Sequence, residues 1–348
     1  MINEAMRAGV LTAPKKIELK KLRKPTPGCG DVLVSVKTCG ICTTDRRMYS
    51  GQSEVPYPAI LGHEVAGVVE KLGENVVTDI NEGDHVVIGH CGCGECYYCR
   101  RGYPNLCQNF FRMSKKLDSG EYLLAGGFAD YLLSPSGRIY KIPPDLKFEE
   151  ASLAEPLSCV LHSVQRANLT FGENVAIIGA GPMGLLHLLV TKKLGSTVVV
   201  SESDEKRRGL AEKLGADFTL DPSERDAPTS VQERTDGRGA DAVFVAVGGK
   251  GAAEQGIAMA GKRGRVVFYG STHPSTMISV SSEIHYDEKC LTGSSNATPE
   301  EFREAVALLS SRAIDVGPLI SKVIRLDDIK AGFETRPKGD IQRIIVKT

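Results

Sequence analysis

The chain has 348 residues, and its 43 Lys and Arg balance its 43 Asp and Glu, so the formal net charge is zero. At about 100–200 residues per domain, this length has room for two domains and a large core. The charge balance gives no attraction for nucleic acid or an anionic membrane, so we expect a soluble enzyme that acts on a small molecule.

No targeting or membrane segment is expected. The longest nearly apolar run, 175–190, is interrupted by glycines, Pro182 and His187. The run is also too short for a transmembrane helix, which needs about 18 residues. The N-terminal MINEAMRAGVLTAPKK lacks the apolar region and cleavage site of a signal peptide. We expect a cytoplasmic protein, where ten cysteines favour metal binding or catalysis over disulfides.

The first third of the chain predicts a β-rich domain. Short alternating or β-branched runs at 31–38, 65–71 and 85–89 predict strands, separated by Gly and Pro. Between them lie Cys42, in GICTTD, and His63, in GHE. Thiolate, imidazole and carboxylate are zinc ligands, and a catalytic zinc site uses three of them and keeps a fourth position open. Taken singly, Cys42 is better explained as a buried thiol and His63 as a hydrogen-bonded core histidine.

A second group of cysteines follows. Five fall between positions 91 and 107, in a loop that also holds several glycines and Pro104. Four thiolates on a short loop predict a closed tetrahedral structural zinc site with no position for substrate. Cys91 is expected to be a neighbour and not a ligand. The predicted ligands are Cys93, Cys96, Cys99 and Cys107.

The first domain is expected to close shortly afterwards. Gly126 to Tyr131 predicts a turn that enters another strand, and Pro143 and Pro144 then break regular structure. Residues 151–167 are mostly apolar and predict a helix that carries Glu155. We expect the metal site to be assembled where the two domains meet.

From residue 171 onwards strands and helices alternate, which predicts a doubly wound parallel α/β sheet, a Rossmann domain. We assign residues 157–294 to this domain, and residues 1–156 with 295–348 to the β-rich domain. The polar segment 221–239 is expected to be a surface excursion. Predicted strands lie at 197–201, 241–247, 265–269, 291–294 and 343–347, and predicted helices at 185–194, 205–214 and 299–310.

The stretch NVAIIGAGPMG, residues 174–184, predicts a dinucleotide-binding loop. Gly179, Gly181 and Gly184 match G-x-G-x-x-G, in which glycines allow a tight turn, close approach to a pyrophosphate and close helix packing. Alone, the motif is equally compatible with plain packing of a strand against a helix. The alternating strands and helices around it favour the nucleotide interpretation.

Glu202 ends the second strand of this domain, about twenty residues after the glycines, where a carboxylate binds the adenosine ribose. Because an acid repels a 2′-phosphate, NAD is favoured over NADP, although Lys206, Arg207 and Arg208 are candidates to accept that phosphate. Glycines that follow later strands are expected to line the nicotinamide side. The predicted cofactor-binding residues are Gly179, Gly181, Pro182, Met183, Gly184, Glu202, Arg207, Val247 and Gly270.

The motifs GICTTD and GHE, the four-cysteine loop, AEPLSC at 154–159 and the glycine loop together resemble the zinc-dependent medium-chain alcohol and polyol dehydrogenases, of sorbitol and threonine dehydrogenase type. The resemblance runs along almost the whole chain. It implies a GroES-like β-rich catalytic domain beside the Rossmann domain, a catalytic and a structural Zn²⁺ in each chain, NAD, and a homodimer or homotetramer.

The resemblance also implies roles for single residues. Cys42 and His63 would bind the catalytic zinc, and Asp45 would orient His63. Thr44 would contact the substrate hydroxyl and be the first proton acceptor in a relay. The third ligand is either Glu155, which stands where other members place a cysteine, or Glu64, which is a ligand in some polyol members. The two are also expected to be able to exchange during turnover.

One position departs from the family. Arg47 stands where other members place a proton-relay histidine, so proton exit must differ. We expect Arg46 and Arg47 to be a solvated pair on a loop, with contact to an anionic substrate as the alternative.

The sequence therefore predicts an NAD-dependent, zinc-assisted dehydrogenase that oxidises the secondary alcohol of a polyol or sugar reversibly to a ketone. Zinc would act as a Lewis acid on the substrate oxygen and lower its pKa. An oxygen-rich metal shell with glutamate favours polyhydroxy substrates. The alternatives are an amino alcohol such as threonine, a primary alcohol, or a non-catalytic nucleotide-binding relative.

Overall fold

The structure is a computed structural model that describes residues 5–76, 79–90, 92–109, 126–271, 275, 277–278, 281–335 and 338–348. It divides into two compact units, residues 1–158 with 297–348 and residues 159–296. Each junction lies two residues after the predicted one, at 158 against 156 and at 296 against 294. Cys91 lies outside the described residues.

Strands predominate in the first half of the chain, and strands and helices alternate in the second. In chain order, the strands are β1 (Ala5–Ala13), β2 (Lys16–Arg23), β3 (Asp31–Gly40), β4 (Ala59–Ile60), β5 (Glu64–Leu72), β6 (His85–Ile88), β7 (Tyr131–Pro135), β8 (Ile139–Lys141), β9 (Asn174–Ile178), β10 (Thr197–Ser201), β11 (Phe218–Leu220), β12 (Ala240–Val245), β13 (Ala260–Phe268), β14 (Cys290–Gly293), β15 (Ile320–Arg325) and β16 (Arg343–Lys347). The helices are α1 (Thr43–Ser50), α2 (Tyr97–Arg100), α3 (Phe148–Ala151), α4 (Ala154–Arg166), α5 (Pro182–Lys193), α6 (Glu205–Lys213), α7 (Ala227–Gln232), α8 (Lys250–Met259), α9 (Glu283–Tyr286), α10 (Pro299–Ser310) and α11 (Ile329–Glu334).

The first unit is built on two sheets. Strands β2, β1 and β4 form the smaller one, and the larger has the order β15-β16-β3-β5-β6-β8, with β7 also paired to β3. Alternating apolar side chains of these strands, such as Val32, Val34 and Val86, are buried in one core. The C-terminal strand β16 pairs with β3, opposite Gly40. This pairing brings the end of the chain beside the residues that precede Cys42.

The second unit is a six-stranded parallel sheet with the order β11-β10-β9-β12-β13-β14. Its strands are short apolar runs such as Val198 to Val200, all buried, as expected for a sheet covered on both faces. The strand order reverses between β9 and β12, which is where doubly wound sheets bind ligands. The glycine loop follows β9 directly, and the predicted Rossmann fold is confirmed.

The structure corrects one prediction about this unit. The segment 221–239 is not only a surface excursion, because it forms α7, and Ala227 and Val231 are buried in the core of the sheet. The segment is mostly polar, so its two buried apolar residues were not recognised as part of a core. Helix α5 starts three residues before the predicted 185, because Pro182 is well suited to the first helical position.

Within the residues that the structure describes, no helix combines the length and the apolar character needed to cross a bilayer.

His187 is a fully buried histidine in the second unit. Its Nδ1 lies 2.7 Å from the Met183 carbonyl, so Nδ1 donates there, and Nε2 accepts from the Ser163 hydroxyl at 2.9 Å. The ring packs against Phe244 and Tyr269, with centroids 4.7 and 4.9 Å away. Burial lowers the pKa of His187 to about 4, against partial opposition from the Met183 carbonyl.

This burial predicts a loss of stability in acid. The unfolded chain takes up a proton as the pH falls below 6.5, whereas the folded His187 does so only near 4. The stabilisation is therefore complete above pH 6.5 and is lost as the pH falls towards 4. Between pH 7.5 and 5 the free energy of unfolding should fall by about 2 kcal/mol from this residue.

The measurement is chemical denaturation of the wild type and of His187→Gln at several pH values. The difference in stability between the two proteins should shrink as the pH falls, because glutamine does not titrate. A difference that is independent of pH between 7.5 and 5 would contradict the assignment.

Candidate functional site

Asp45 connects two segments of the first unit at the predicted catalytic site. Cys42 precedes the first residue of α1, and its backbone N–H donates to Asp45 Oδ2 at 2.9 Å. The other oxygen, Oδ1, accepts from the Gly62 N–H at 3.1 Å and lies 3.4 Å from His63 Nδ1. Asp45 is buried, so it fixes the ring of His63 relative to Cys42 from inside the protein.

Cys42, His63 and Glu64 offer donor atoms that all lie within 4.8 Å of one another. Thiolate, imidazole and carboxylate in this arrangement fit a zinc ion with one position left for substrate. Glu64 is fully buried at the start of β5. Among the described residues neither of its carboxylate oxygens has a well-aligned hydrogen bond, so the carboxylate depends on neighbouring cations to offset its charge.

Gly40 makes room for Glu64. The two residues face each other across β3 and β5, and a Cβ at position 40 would overlap Oε2 of Glu64. The carboxylate therefore lies against the backbone of the neighbouring strand.

The charges of the cluster also favour a cation. Burial raises the pKa of Glu64 to about 7, although the charge of Arg343 opposes this shift. For His63, burial favours the neutral ring, but Asp45 and Cys42 together raise the pKa well above its usual value. A metal cation at the cluster would compensate the charge of the buried Glu64 carboxylate, and His63 would bind it as the neutral ring.

Glu155, the other candidate for the third ligand, has a different partner. It is the second residue of α4, and its Oε1 lies 3.0 Å from His90 Nε2. Burial disfavours its ionised form, but the His90 hydrogen bond and the charges of His63, His90 and Arg343 outweigh it and lower the pKa of Glu155 to about 2. Because the ionised carboxylate can only accept, His90 donates. The structure thus groups Glu64 with Cys42 and His63, and places Glu155 on His90.

Sequence reasoning missed Arg343, the first residue of β16. Arg343 is 4% exposed, and its Nη2 lies 2.9 Å from Glu64 Oε1. Burial opposes its charge, but Glu64, Cys42 and Glu155 raise its pKa. An arginine at the head of an otherwise apolar predicted strand was the only signal in the sequence. His90 was missed too, although it follows a predicted strand directly.

The structure corrects the prediction for Arg46 and Arg47. Both lie in helix α1 and not on a loop. The guanidinium of Arg46 donates to the carbonyls of Phe333 and Gly332, at 2.6 and 3.1 Å, and so ties α1 to the end of α11. Arg46 is thus part of the scaffold of the site. Thr44 lies in the first turn of α1 and is exposed.

The four cysteines predicted to form the structural zinc site also converge. Cys93, Cys96, Cys99 and Cys107 all have their Sγ atoms within 4.8 Å of one another. Backbone N–H groups point at the sulfurs, for example that of residue 96 at Cys93 Sγ (3.4 Å) and that of residue 109 at Cys107 Sγ (3.3 Å). A Cβ at Gly92 would overlap Cys99 Sγ, so glycine is needed there.

The thiols in this loop have different pKa values. Hydrogen bonds from Asn109 and from the backbone lower the pKa of Cys93 to about 6, whereas burial and the neighbouring thiols raise that of Cys99 to about 12. Four thiolates do not coexist here without a cation. The loop therefore fits a closed tetrahedral zinc site.

The glycine loop of the second unit has the geometry of a nucleotide-binding turn. Gly179 has φ of +96°, and Gly181 precedes α5, whose first residues are Pro182 and Met183. A Cβ at Gly184 would overlap the carbonyl oxygen of Gly179. The start of α5 is thus packed directly on the turn, as in the helix N-termini that bind anions.

Other predicted cofactor residues surround this loop. Glu202 is 8% exposed, and its Oε2 accepts from the Ala180 N–H at 2.7 Å, so its carboxylate lies directly under the glycine turn. Arg207 covers the turn from α6: a Cβ at position 181 would lie 3.9 Å from its Nη1. Val247 packs against both Gly179 and Gly270, since a Cβ at either glycine would overlap Val247.

Arg208, the third cation considered for a 2′-phosphate, is engaged elsewhere. Its Nη1 donates to the carbonyls of Glu202 and Ser203, each at 2.8 Å, and pairs with Asp221 at 2.9 Å.

Two family profiles match the chain. The one described as "Alcohol dehydrogenase GroES-like domain" matches residues 28–144, and "Zinc-binding dehydrogenase" matches residues 182–311. The first covers Cys42, His63 and the four-cysteine loop, and the second covers most of the parallel sheet.

Relatives match over nearly the full length. L-Threonine 3-dehydrogenase from Pyrococcus horikoshii is 35% identical over 353 aligned positions, covering 99% of both chains. Sorbitol dehydrogenase from Halalkalibacterium halodurans is 30% identical over 93% of both chains. Among solved structures, a candidate zinc-binding dehydrogenase from Sinorhizobium meliloti, bound to NADP, superposes with a TM-score of 0.91 at 30% identity, covering 99% of this chain and 100% of that one.

Proposed function

Because the chain belongs to the zinc-dependent medium-chain alcohol dehydrogenase family, we propose that it is an NAD-dependent enzyme that oxidises the secondary alcohol of a polyol or sugar reversibly to a ketone. The observation that carries this proposal is the cluster of Cys42, His63 and Glu64, with donor atoms within 4.8 Å of one another. Such a cluster serves catalysis when it leaves a position for substrate.

Cys42, His63 and Glu64 would hold the catalytic zinc, with Asp45 fixing the ring of His63. Bound zinc would supply Lewis-acid polarisation of the substrate oxygen, and bound nicotinamide would supply the hydride acceptor. Glu155, held by His90, is the carboxylate that would exchange with Glu64. A second zinc would occupy the four-cysteine loop and stabilise it.

Thr44 Oγ1 is proposed as the first group of a proton relay, which accepts the substrate hydroxyl proton while it passes its own hydroxyl proton on to solvent. It lies two residues after Cys42 in the exposed first turn of α1, so a substrate can reach it. Polyhydroxy substrates are favoured because a shell that includes glutamate is richer in oxygen than one with two cysteines.

NAD is proposed over NADP because Glu202 places a buried carboxylate beneath the glycine turn, where it would repel a 2′-phosphate. The opposing observations are Arg207 above the same turn and the NADP bound by the Sinorhizobium relative.

A second candidate substrate is L-threonine. It is favoured by the relative from Pyrococcus horikoshii, which matches 99% of the chain at 35% identity. The two candidate substrates differ in the groups next to the reacting alcohol. A polyol or sugar carries further hydroxyl groups there, whereas threonine carries an amino group and a carboxylate.

The test is a substrate panel followed by NADH absorbance at about 340 nm, with polyols, sugars, L-threonine and primary alcohols, each offered with NAD and with NADP. We expect turnover of a polyol with NAD, and at least about tenfold lower kcat/KM with NADP, which corresponds to about 1.4 kcal/mol. Turnover of threonine alone would select the second candidate. A protein with one zinc per chain and no turnover would be a non-catalytic nucleotide-binding relative.

We also propose a cytoplasmic protein that assembles as a homodimer or homotetramer. Free thiols at the metal ligands are compatible with a reducing compartment. Mass measurement in solution decides between the two assemblies.

A further inference from the structure

We propose that Arg343 is a positioning residue of the metal centre. Its guanidinium holds the Glu64 carboxylate in the orientation in which Glu64 joins Cys42 and His63. The inference rests on the proposed function, since it requires a metal at this cluster, but it assigns a task to a residue far from all the ligand motifs.

Glu64 is confined from two sides. Its side chain is fully buried, Oε1 lies 2.9 Å from Arg343 Nη2, and Oε2 lies where a Cβ of residue 40 would be. A carboxylate held by a cation at one oxygen and by a backbone at the other cannot rotate freely. Arg343 is therefore the polar group that sets its orientation.

Arg343 is itself fixed by strand pairing. It begins β16, which pairs with β3 through Ile345 opposite Gly40, and Gly40 in turn pairs with Glu64 of β5. Three adjacent strands thus set the distance between the two charges. Nη1 of Arg343 also lies 3.4 Å from the carbonyl oxygen of Ile41, which is the residue before Cys42.

The alternative role for Arg343 and Glu64 is a buried ion pair that only supports the fold. Such a pair is costly to bury and is often no more stabilising than apolar residues of similar volume. A pair placed on a metal-ligating carboxylate has a more specific use, because groups that orient ligands change metal affinity by about 10 to 100-fold.

The experiment measures the zinc dissociation constant by chelator competition with the full-length protein. Arg343→Gln should bind the zinc of the Cys42 cluster about 10 to 100-fold more weakly than the wild type. The zinc of the four-cysteine loop is identified separately in His63→Ala, which keeps only that site. Arg343→Lys keeps the charge and should recover part of the affinity.

A double-mutant cycle separates positioning from a structural role. If Arg343 acts through Glu64, then Arg343→Gln adds little to the loss already caused by Glu64→Gln. Additive losses, or unchanged affinity in Arg343→Gln, would overturn the proposal. Arg265→Gln is the matched control, because Arg265 pairs with Glu173 at 2.6 Å in the other unit, and its zinc affinities should equal those of the wild type.

Gly40→Ala tests the same idea if Arg343→Gln does not fold. The new Cβ would displace the Glu64 carboxylate while Arg343 stays, and zinc affinity should fall as in Arg343→Gln. Unchanged affinity would count against the proposal. A wild-type protein that binds zinc only at the four-cysteine loop would instead refute the proposed function.

Discussion

Alanine at position 63 should abolish alcohol-dependent NADH formation, with kcat/KM reduced by about 10³-fold or more, equivalent to about 4 kcal/mol. His63 supplies the only imidazole in the cluster with Cys42 and Glu64, and Asp45 orients it. Without the ring, two donors remain, too few for a catalytic zinc site. Cys42→Ala should have the same effect.

His63→Ala should lose turnover but keep cofactor binding. NAD binding, measured by calorimetry, should stay within a few-fold of the wild type, because the glycine loop and its sheet form a unit with their own core. His285→Ala removes an exposed histidine of α9 and should keep full activity. Activity retained by His63→Ala would refute the catalytic assignment.

Serine at position 99 should remove one zinc ion per chain and lower the free energy of unfolding by about 4 kcal/mol or more. Cys99 is one of four sulfurs within 4.8 Å of one another, in a loop with little apolar burial: Tyr97, Tyr103 and Leu106 are all exposed. Because such a loop has a small core, metal binding supplies much of its stability.

Zinc content by atomic absorption and the thermal midpoint measure this effect. Cys29→Ser is the matched control, because Cys29 is an exposed cysteine outside both clusters, and it should change neither quantity. If Cys99→Ser keeps the zinc content and melting temperature of the wild type, the loop does not hold a structural metal.

Local motifs made much of the site predictable. Cys42 with Asp45, and Glu64 with its neighbour His63, sit on short segments, and the four cysteines occupy a single loop. Since few residues separate the partners, their spacing limits the possible geometry. For the same reason the glycine loop and Glu202 were found, one at the end of β9 and the other at the end of β10.

Other features depended on segments far apart in the chain. Nothing near Arg46 indicates that its guanidinium ends on the carbonyls of α11, almost 290 positions later. The choice between Glu64 and Glu155 also needed the fold, because both are acids beside family motifs. In the structure, Glu64 lies with Cys42 and His63, whereas Glu155 accepts a hydrogen bond from His90.

The sequence by itself determined the parallel sheet and the family, and it predicted the two units and both candidate metal clusters, because each is encoded by apolar periodicity or by ligands close together in the chain. Only the tertiary structure placed Arg343 on Glu64, since β16 must return from the C-terminus and pair with β3 before the two charges meet. Strand pairing between distant segments follows from the packing of the whole core, and no local pattern in the sequence specifies it.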